Sequence, residues 1–420
     1  MKYIALTIGP IYKTLKNAKK PKELFSSSYI FSYIMKEIVQ KFKTRKFVTP
    51  YIDENVFTIS EVGLFHDRFI FESQEGDYEQ LQKVIDEVLE DVALQLDITF
   101  ESVKSYLQIN FIEKELADNA NPILELTLYL DTKELMFQVT QDESFAKALR
   151  RKKGDKDNFL TEGKGIEDKI EKLCYHNYYC IVHADGDKMG EAITNKTNIE
   201  KVSKALFDYC NNAHSEIKAF GGQTIFAGGD DLLFFAPVIG CDKSTIFNLC
   251  EKIAQDFSSK VPEATLSFGI SVNYVKYPLY EAVENSREQL FAKAKTGEKN
   301  SVSFKVTKHS GQSFEALIHK NESQTYEKFL EFVSNVAKDD ENANFLHSIH
   351  HKISSYETTL KTILGDESKL HNFFNNYFNE AGHTEYREFF NNLVAYMFAS
   401  QDLNQVYATL RFMKFVKGDK

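Results

Sequence analysis

The residues best placed to do chemistry lie in Phe226-Ala227-Gly228-Gly229-Asp230-Asp231-Leu232-Leu233-Phe234-Phe235. Two strand-length apolar runs are joined there by two glycines and two adjacent aspartates. Gly-Gly makes a natural turn between strands because glycine tolerates positive φ. Such a turn needs no acids, and neighbouring carboxylates repel; a metal ion makes the pairing favourable. A second acidic stretch, His183-Ala184-Asp185-Gly186-Asp187-Lys188-Met189-Gly190, ends an apolar run that begins at Tyr178. Asp185 would project from the C-terminal end of that strand. Gly186 lets the backbone approach a phosphate or metal, and the helix N-terminus that follows favours a triphosphate. A third stretch, Ala294-Lys295-Thr296-Gly297-Glu298-Lys299-Asn300, sets Lys295 and Lys299 at a helix end, where they can neutralise triphosphate oxygens. Two divalent ions on such carboxylates lower the pKa of an attacking hydroxyl and stabilise departing pyrophosphate.

These pieces meet only if the chain between them folds to bring them together. Residues 173–310 read as strand 178–183, a helix ending near 219, strands 223–226 and 232–235, a helix over 244–257 and strand 265–272. That βαββαβ order is ferredoxin-like, the arrangement of polymerase and cyclase palms, and it sets the central hairpin beside the first strand. A helix over 278–295 and a last strand at 302–306 complete the unit. Residues 1–150 give a strand at 3–8, a helix opening at Ser26-Ser27-Ser28, a strand over 62–71, a helix over 78–96 and a strand at 107–112. This predicts a first, non-catalytic ferredoxin-like domain. The pair His66-Asp67 lies in it without the further His and Asp ligands that a metal-dependent phosphohydrolase needs. Residues 151–172 read as a charged, glycine-containing linker, and 311–420 as a C-terminal bundle of three to five helices. The fold class expected is α+β, with two ferredoxin-like (palm/cyclase-type) domains plus a C-terminal helical bundle.

Composition narrows the setting. The chain has 420 residues, 43% hydrophobic and 27% charged, and no apolar run reaches membrane-spanning length. The start lacks the features of a signal peptide, and a cytoplasmic location is the expectation. The five cysteines form no Cys-x-x-Cys pair, which argues against a zinc ribbon. Net charge is −10, yet residues 1–50 carry eleven Lys and Arg against Glu23 and Glu37, a local +9 that makes a candidate phosphate-facing surface.

On these residues the chain resembles the large polymerase-like subunit of type III CRISPR effector complexes, in its Cmr-type branch. The resemblance rests on Ala184-Asp185-Gly186-Asp187 with Met189-Gly190, on Gly228-Gly229-Asp230-Asp231, and on Leu266-Ser267-Phe268-Gly269-Ile270. Tyr277-Pro278-Leu279, Ala294-Lys295 and Lys299-Asn300 add to it, as do Ile8-Gly9-Pro10, Asp67-Arg68-Phe69 and the closing Leu410-Arg411-Phe412-Met413. It implies a palm that binds two ATP with two Mg²⁺ or Mn²⁺ ions and makes a nucleotide messenger, usually cyclic oligoadenylate. Some members instead couple ATP to S-adenosylmethionine. It implies partners in the other effector subunits and, through the complex, guide and target RNA. By position, Asp185, Asp230 and Asp231 would be catalytic metal ligands. Gly186, Asp187, Gly228, Gly229, Ser267, Lys295 and Lys299 would lie along the nucleotide. The family's N-terminal HD nuclease domain and zinc-binding insertion are not seen, so DNA cleavage by this chain is not expected. The alternatives are a stand-alone minimal synthase of cyclic nucleotides and a non-catalytic ATP-binding scaffold. A diguanylate cyclase would carry Glu-Phe where Asp231-Leu232 stands.

Overall fold

The computed structural model describes residues 1–16, 18–53, 56–58, 62–136, 142–150, 170–194, 198–338, 343–377 and 387–418. The expected linker lies almost wholly outside them; its last residues enter a short 3-10 turn, Ile170–Leu173.

The first sheet holds β1 (Lys2–Gly9), β2 (Phe47–Thr49), β3 (Arg68–Glu72) and β4 (Gln108–Glu115) in the order β2-β3-β1-β4, each pair antiparallel. With the helices Pro21–Lys41 and Asp77–Leu96 between them, this is the ferredoxin-like βαββαβ pattern. Alternation along β1 sends Ile4, Leu6 and Ile8 into the core under these helices, and Tyr3 and Ala5 to the opposite face. That opposite face is covered by the helix Pro122–Leu135 through Leu126 and Leu130. Arg68 ties that helix to β3 by reaching Glu134 at 2.6 Å and Asp131 at 2.7 Å. Two readings shift. The strand expected over 62–71 begins only at Arg68; residues 62–67 leave the sheet, and Gly63 O accepts the Ala227 N–H at 3.3 Å. The helix expected to open at Ser26 starts at Pro21, whose missing N–H costs nothing in a first turn, and the three serines are buried inside it.

The second sheet has six strands: β5 (Tyr178–Asp187), β6 (Gln223–Gly228), β7 (Asp231–Pro237), β8 (Thr265–Tyr274), β9 (Ser301–Thr307) and β10 (Ser313–His319). Their order is β10-β9-β8-β5-β7-β6, so the four strands β8-β5-β7-β6 repeat the topology of the first sheet. β5 is buried on both faces, which explains its near-continuous apolar run. Tyr179 and Ile181 enter the core shared with the first domain, while Cys180, Val182 and Ala184 enter the core under the helices Ile199–Phe220 and Ile246–Lys260. After β8 the chain forms the helix Leu279–Glu288, continues as a π-helical turn Gln289–Ala294, and returns as β9 parallel to β8.

β10 falls in the region read as wholly helical. Its exposed Glu315 between Phe314 and Ala316 hides a strand that exists because β9 offers it an edge. The remaining described residues form six helices from Ser323–Lys338 to Leu403–Val416, more than the three to five expected. The last helix seals the sheet: the Phe412 ring lies 4.9 Å from Phe247 and 5.9 Å from Phe304.

Candidate active site

The antiparallel pairing of β5 with β7 runs to Ala184 opposite Leu232, so the end of β5 and the β6–β7 turn lie side by side. Asp185 and Asp230, 45 positions apart in the chain, thereby reach one corner of the sheet. Gly186 makes the approach possible: a Cβ there would sit 2.6 Å from Asp230 Oδ2 and 2.8 Å from Asp230 Cβ. Instead, the Gly186 N–H donates to the Asp230 carboxylate. Gly229, at φ +65°, takes the left-handed turn position. The buried Cys210 thiol donates to the Gly229 carbonyl from behind at 3.3 Å.

The two hairpin aspartates face different surroundings. Burial and then the neighbouring Asp231 charge raise Asp230 to about 7. Asp231 lines a cavity while its surface stays open to solvent; desolvation by the surrounding protein and then the charge of Asp67 raise it to about 7 as well. In both, burial is the larger cause and a neighbouring carboxylate the second. Among the described residues no three His, Cys, Asp or Glu side chains converge on one point. Asp185 at the end of β5, Asp230 in the turn and Asp231 at the start of β7 are therefore neighbours rather than a closed cage.

Lys295, delivered by the π-helical turn, ion-pairs with Asp185 and donates to the Gly186 carbonyl at 2.8 Å. Burial and then nearby Lys299 lower its pKa to about 8. Asp187 and Ser267, read as nucleotide contacts, lie beneath this surface. Cross-strand register sets Asp185 opposite Ser267 and Asp187 opposite Thr265, and both Asp187 and Ser267 are fully buried. Asp187 Oδ2 accepts from Ser267 Oγ at 2.7 Å, Thr265 Oγ1 at 3.1 Å and the Asn300 N–H at 3.0 Å. Their place is to anchor the loop carrying Lys295 and Lys299, where Lys299 (φ 61°) and Asn300 (φ 46°) are both left-handed. Both residues, expected along the nucleotide, are buried in this hydrogen-bond network.

The first domain reaches the site, which its sequence did not reveal. A Cβ on Gly228 would lie 3.5 Å from the His66 amide nitrogen, and one on Gly229 3.9 Å from the His66 ring. Asp67 lines a cavity of ≈ 300 Å³ together with Tyr12, Ser28, His183, Asp231, Arg287 and Phe291. The Arg287 guanidinium stacks 4.5 Å over the Tyr12 ring and 5.4 Å from Phe291, and Tyr12 bonds Glu284 across the two domains. His183 shares a hydrogen with Ser286 at 2.8 Å; burial and then Arg287 lower it to about 4, so it is neutral. The adjacent pair His66-Asp67 was visible in the sequence; its position against the hairpin depends on domain docking.

Two βαββαβ sheets, one ending in clustered acids beside a lysine, define a tandem palm-type protein. The family described as Cas10/Cmr2, second palm domain, matches residues 178–303, and CRISPR-associated protein Cmr2, N-terminal, matches residues 3–97. The chain belongs to the Cas10/Cmr2 family. The CRISPR system Cmr subunit Cmr2 of Pyrococcus furiosus is 27% identical over 222 residues, covering 44% of this chain and 25% of that protein. The match therefore spans a quarter of that relative's length. Among solved structures, the Csm1–Csm4 cassette in complex with cA4 gives a TM-score of 0.56 at 13% identity, over 98% of this chain and 70% of that one. The type III-B Cmr-beta complex in its apo state gives 0.56 at 10% identity, over 86% of this chain and 75% of that one. At these identities the likeness is one of fold. Among the described residues no helix is long and apolar enough to cross a membrane.

Proposed function

We propose that this chain is an ATP-using nucleotidyltransferase that makes a nucleotide second messenger, cyclic oligoadenylate or a related product, within a type III CRISPR effector complex. The observation that carries the reading is the gathering of Asp185, Asp230 and Asp231 at one sheet corner, with Lys295 paired to Asp185 and a cavity beside Asp231. The donor set suits a hard cation. Asp187 Oδ1 is buried with no hydrogen-bond partner, and the hairpin carboxylates are raised by burial first and by a neighbouring acid second, Asp231 for Asp230 and Asp67 for Asp231. Mg²⁺ is commonly held by one or two carboxylates plus substrate phosphates, which fits acids that do not close a cage alone. Asp185, Asp230 and Asp231 would hold two Mg²⁺ or Mn²⁺ ions, whose chemistry is to activate an attacking hydroxyl and neutralise departing pyrophosphate.

The chain's own groups do the rest. The apolar cavity walls, Phe31, Phe65 and Phe226 among them, take a base, and Ser28 offers it a hydroxyl. Its volume is at the small end of the range of about 300–1,000 Å³ usual for ligand sites. Lys295 and Lys299 orient the triphosphate so that a 3′-hydroxyl of a second nucleotide lies in line with the α-phosphate. A P–O bond forms at that phosphorus, the bond to pyrophosphate breaks, and the hydroxyl proton leaves to an acceptor at the acidic corner.

The similarity to structures of Csm1–Csm4 solved with cA4 and with AMPPNP supports this class of ligand. Guide and target RNA, with the other effector subunits, are the proposed partners. Lys16, Lys19, Lys20 and Lys43 are exposed and available to them, whereas Arg45 is committed to Asp77 at 2.8 Å and Lys46 to Glu72 at 2.7 Å. The test incubates the protein with ATP and Mg²⁺ or Mn²⁺, with and without S-adenosylmethionine, and reads products by mass spectrometry. Product from the protein alone indicates a stand-alone synthase, and product only with guide, target and partner subunits an effector subunit. No product in either setting, or product undiminished in the Asp230→Ala/Asp231→Ala variant, overturns the reading.

A further inference from the structure

The corner at the end of β5 already holds a cation, and that cation belongs to the chain. The ammonium of Lys295 is ion-paired with Asp185 and donates to the Gly186 carbonyl at 2.8 Å. It lies 3.9 Å from Asp187 Oδ1, an oxygen on a fully buried side chain and without a hydrogen-bond partner. Two carboxylates and a main-chain carbonyl, all oxygen, form the kind of donor set that hard divalent ions take. We propose that Lys295 is a built-in counter-cation that occupies a divalent-ion position, and that it yields this position when a metal–nucleotide complex arrives. The identity of that incoming ligand rests on the function proposed above.

The physical case has three parts. Carboxylates drawn out of water are strongly destabilising without a positive partner, so the nucleotide-free protein needs a charge there. An ammonium and a divalent ion cannot share the same oxygens, since like charges at such separations repel strongly in a partly buried site. The lysine can move without its loop moving. Its backbone leaves the π-helical turn at Ala294, and the loop is pinned downstream by the Asn300 N–H on Asp187 Oδ2 at 3.0 Å. The four-carbon stem is the free element, with the β- and γ-phosphates as its new partner. Metal and triphosphate then enter together: a bare divalent ion must displace the ammonium with nothing to receive it, whereas a metal–nucleotide brings the anion that does.

The test measures binding of Mn²⁺ alone to nucleotide-free protein, by electron paramagnetic resonance of the free ion. Lys295→Met removes the charge and keeps most of the stem. It should bind Mn²⁺ at least about tenfold more tightly than the natural chain, about 1.4 kcal/mol. Lys295→Gln, which retains a donor for the Gly186 carbonyl, should gain similarly and answers the question if the methionine variant folds poorly. Lys293→Met removes a lysine paired with Glu315 instead, and should leave Mn²⁺ binding unchanged. Equal or weaker Mn²⁺ binding by both Lys295 variants overturns the counter-cation while leaving the metal site standing. Absence of Mn²⁺ binding in every protein overturns the metal site itself, and the proposed function with it.

Discussion

Replacing Asp230 by Asn should stabilise the metal-free protein at neutral and higher pH. Folding raises Asp230 from the ordinary carboxylate value of 3.8 to about 7, through burial first and the Asp231 charge second. The folded state thus binds more protons than the unfolded chain between roughly pH 4 and pH 7, so stability falls as pH rises through that window and the full loss is present above pH 7. A shift of about three units corresponds to roughly 4 kcal/mol at 1.36 kcal/mol per unit. The Asp230–Asp231 repulsion is shared by the two groups, and solvent screens Asp231, so about 2 kcal/mol is attributed to Asp230 alone. Asn keeps an oxygen for the Gly186 N–H and removes the charge. Thermal unfolding in a chelator at pH 8 should show Asp230→Asn melting about 2–4 °C above the natural chain. At pH 4 the two should nearly coincide, and saturating Mn²⁺ should reverse the order at pH 8. A variant that melts lower at pH 8 in chelator, or gains equally at both pH values, would refute the argument. Its expected loss of product formation is the usual exchange of stability against a charged site.

Three further outcomes can be measured. Gly186→Ala places a Cβ within 2.6 Å of Asp230 Oδ2; it should lower product formation at least about 100-fold, with circular dichroism little changed, since the displaced carboxylate is one of the proposed metal ligands. Asp187→Ala removes the acceptor of three hydrogen bonds and should cost about 3 kcal/mol in urea unfolding, with faster amide exchange over 295–301; protection equal to the natural chain there would show that the loop is held otherwise. Changing the exposed Lys16, Lys19, Lys20 and Lys43 to Glu should weaken binding to RNA or the assembled complex at least about tenfold and flatten its salt dependence, and unchanged binding by electrophoretic shift would remove this surface from the interface.

The acids were legible without coordinates because their chemistry is written in neighbouring residues: an apolar strand ending in Asp185-Gly186-Asp187, and Gly228-Gly229-Asp230-Asp231 between two apolar runs. The βαββαβ order was legible because each element is long enough to show its period. β2, at three residues, is too short to show one, and β10 sits at the sheet edge with a partly exposed pattern; pairing with β3 and β9 makes them strands, and pairing is not written in either stretch alone.

The division of labour within Asp185–Asp187 and Lys295 was decided by tertiary structure alone. Alternation sends Asp185 and Asp187 to one face of β5, and register on β8 sets Ser267 and Thr265 beside them; the loop folded over that face buries Asp187 and Ser267 as its anchor, while Asp185 stays partly exposed and meets Lys295. Docking of the first domain likewise sets His66 against the glycine turn and Asp67 beside Asp231. Residue types determine which groups can carry charge, bind a cation or turn the chain; which face each group meets depends on register and packing, and those are sums over contacts that no local stretch contains.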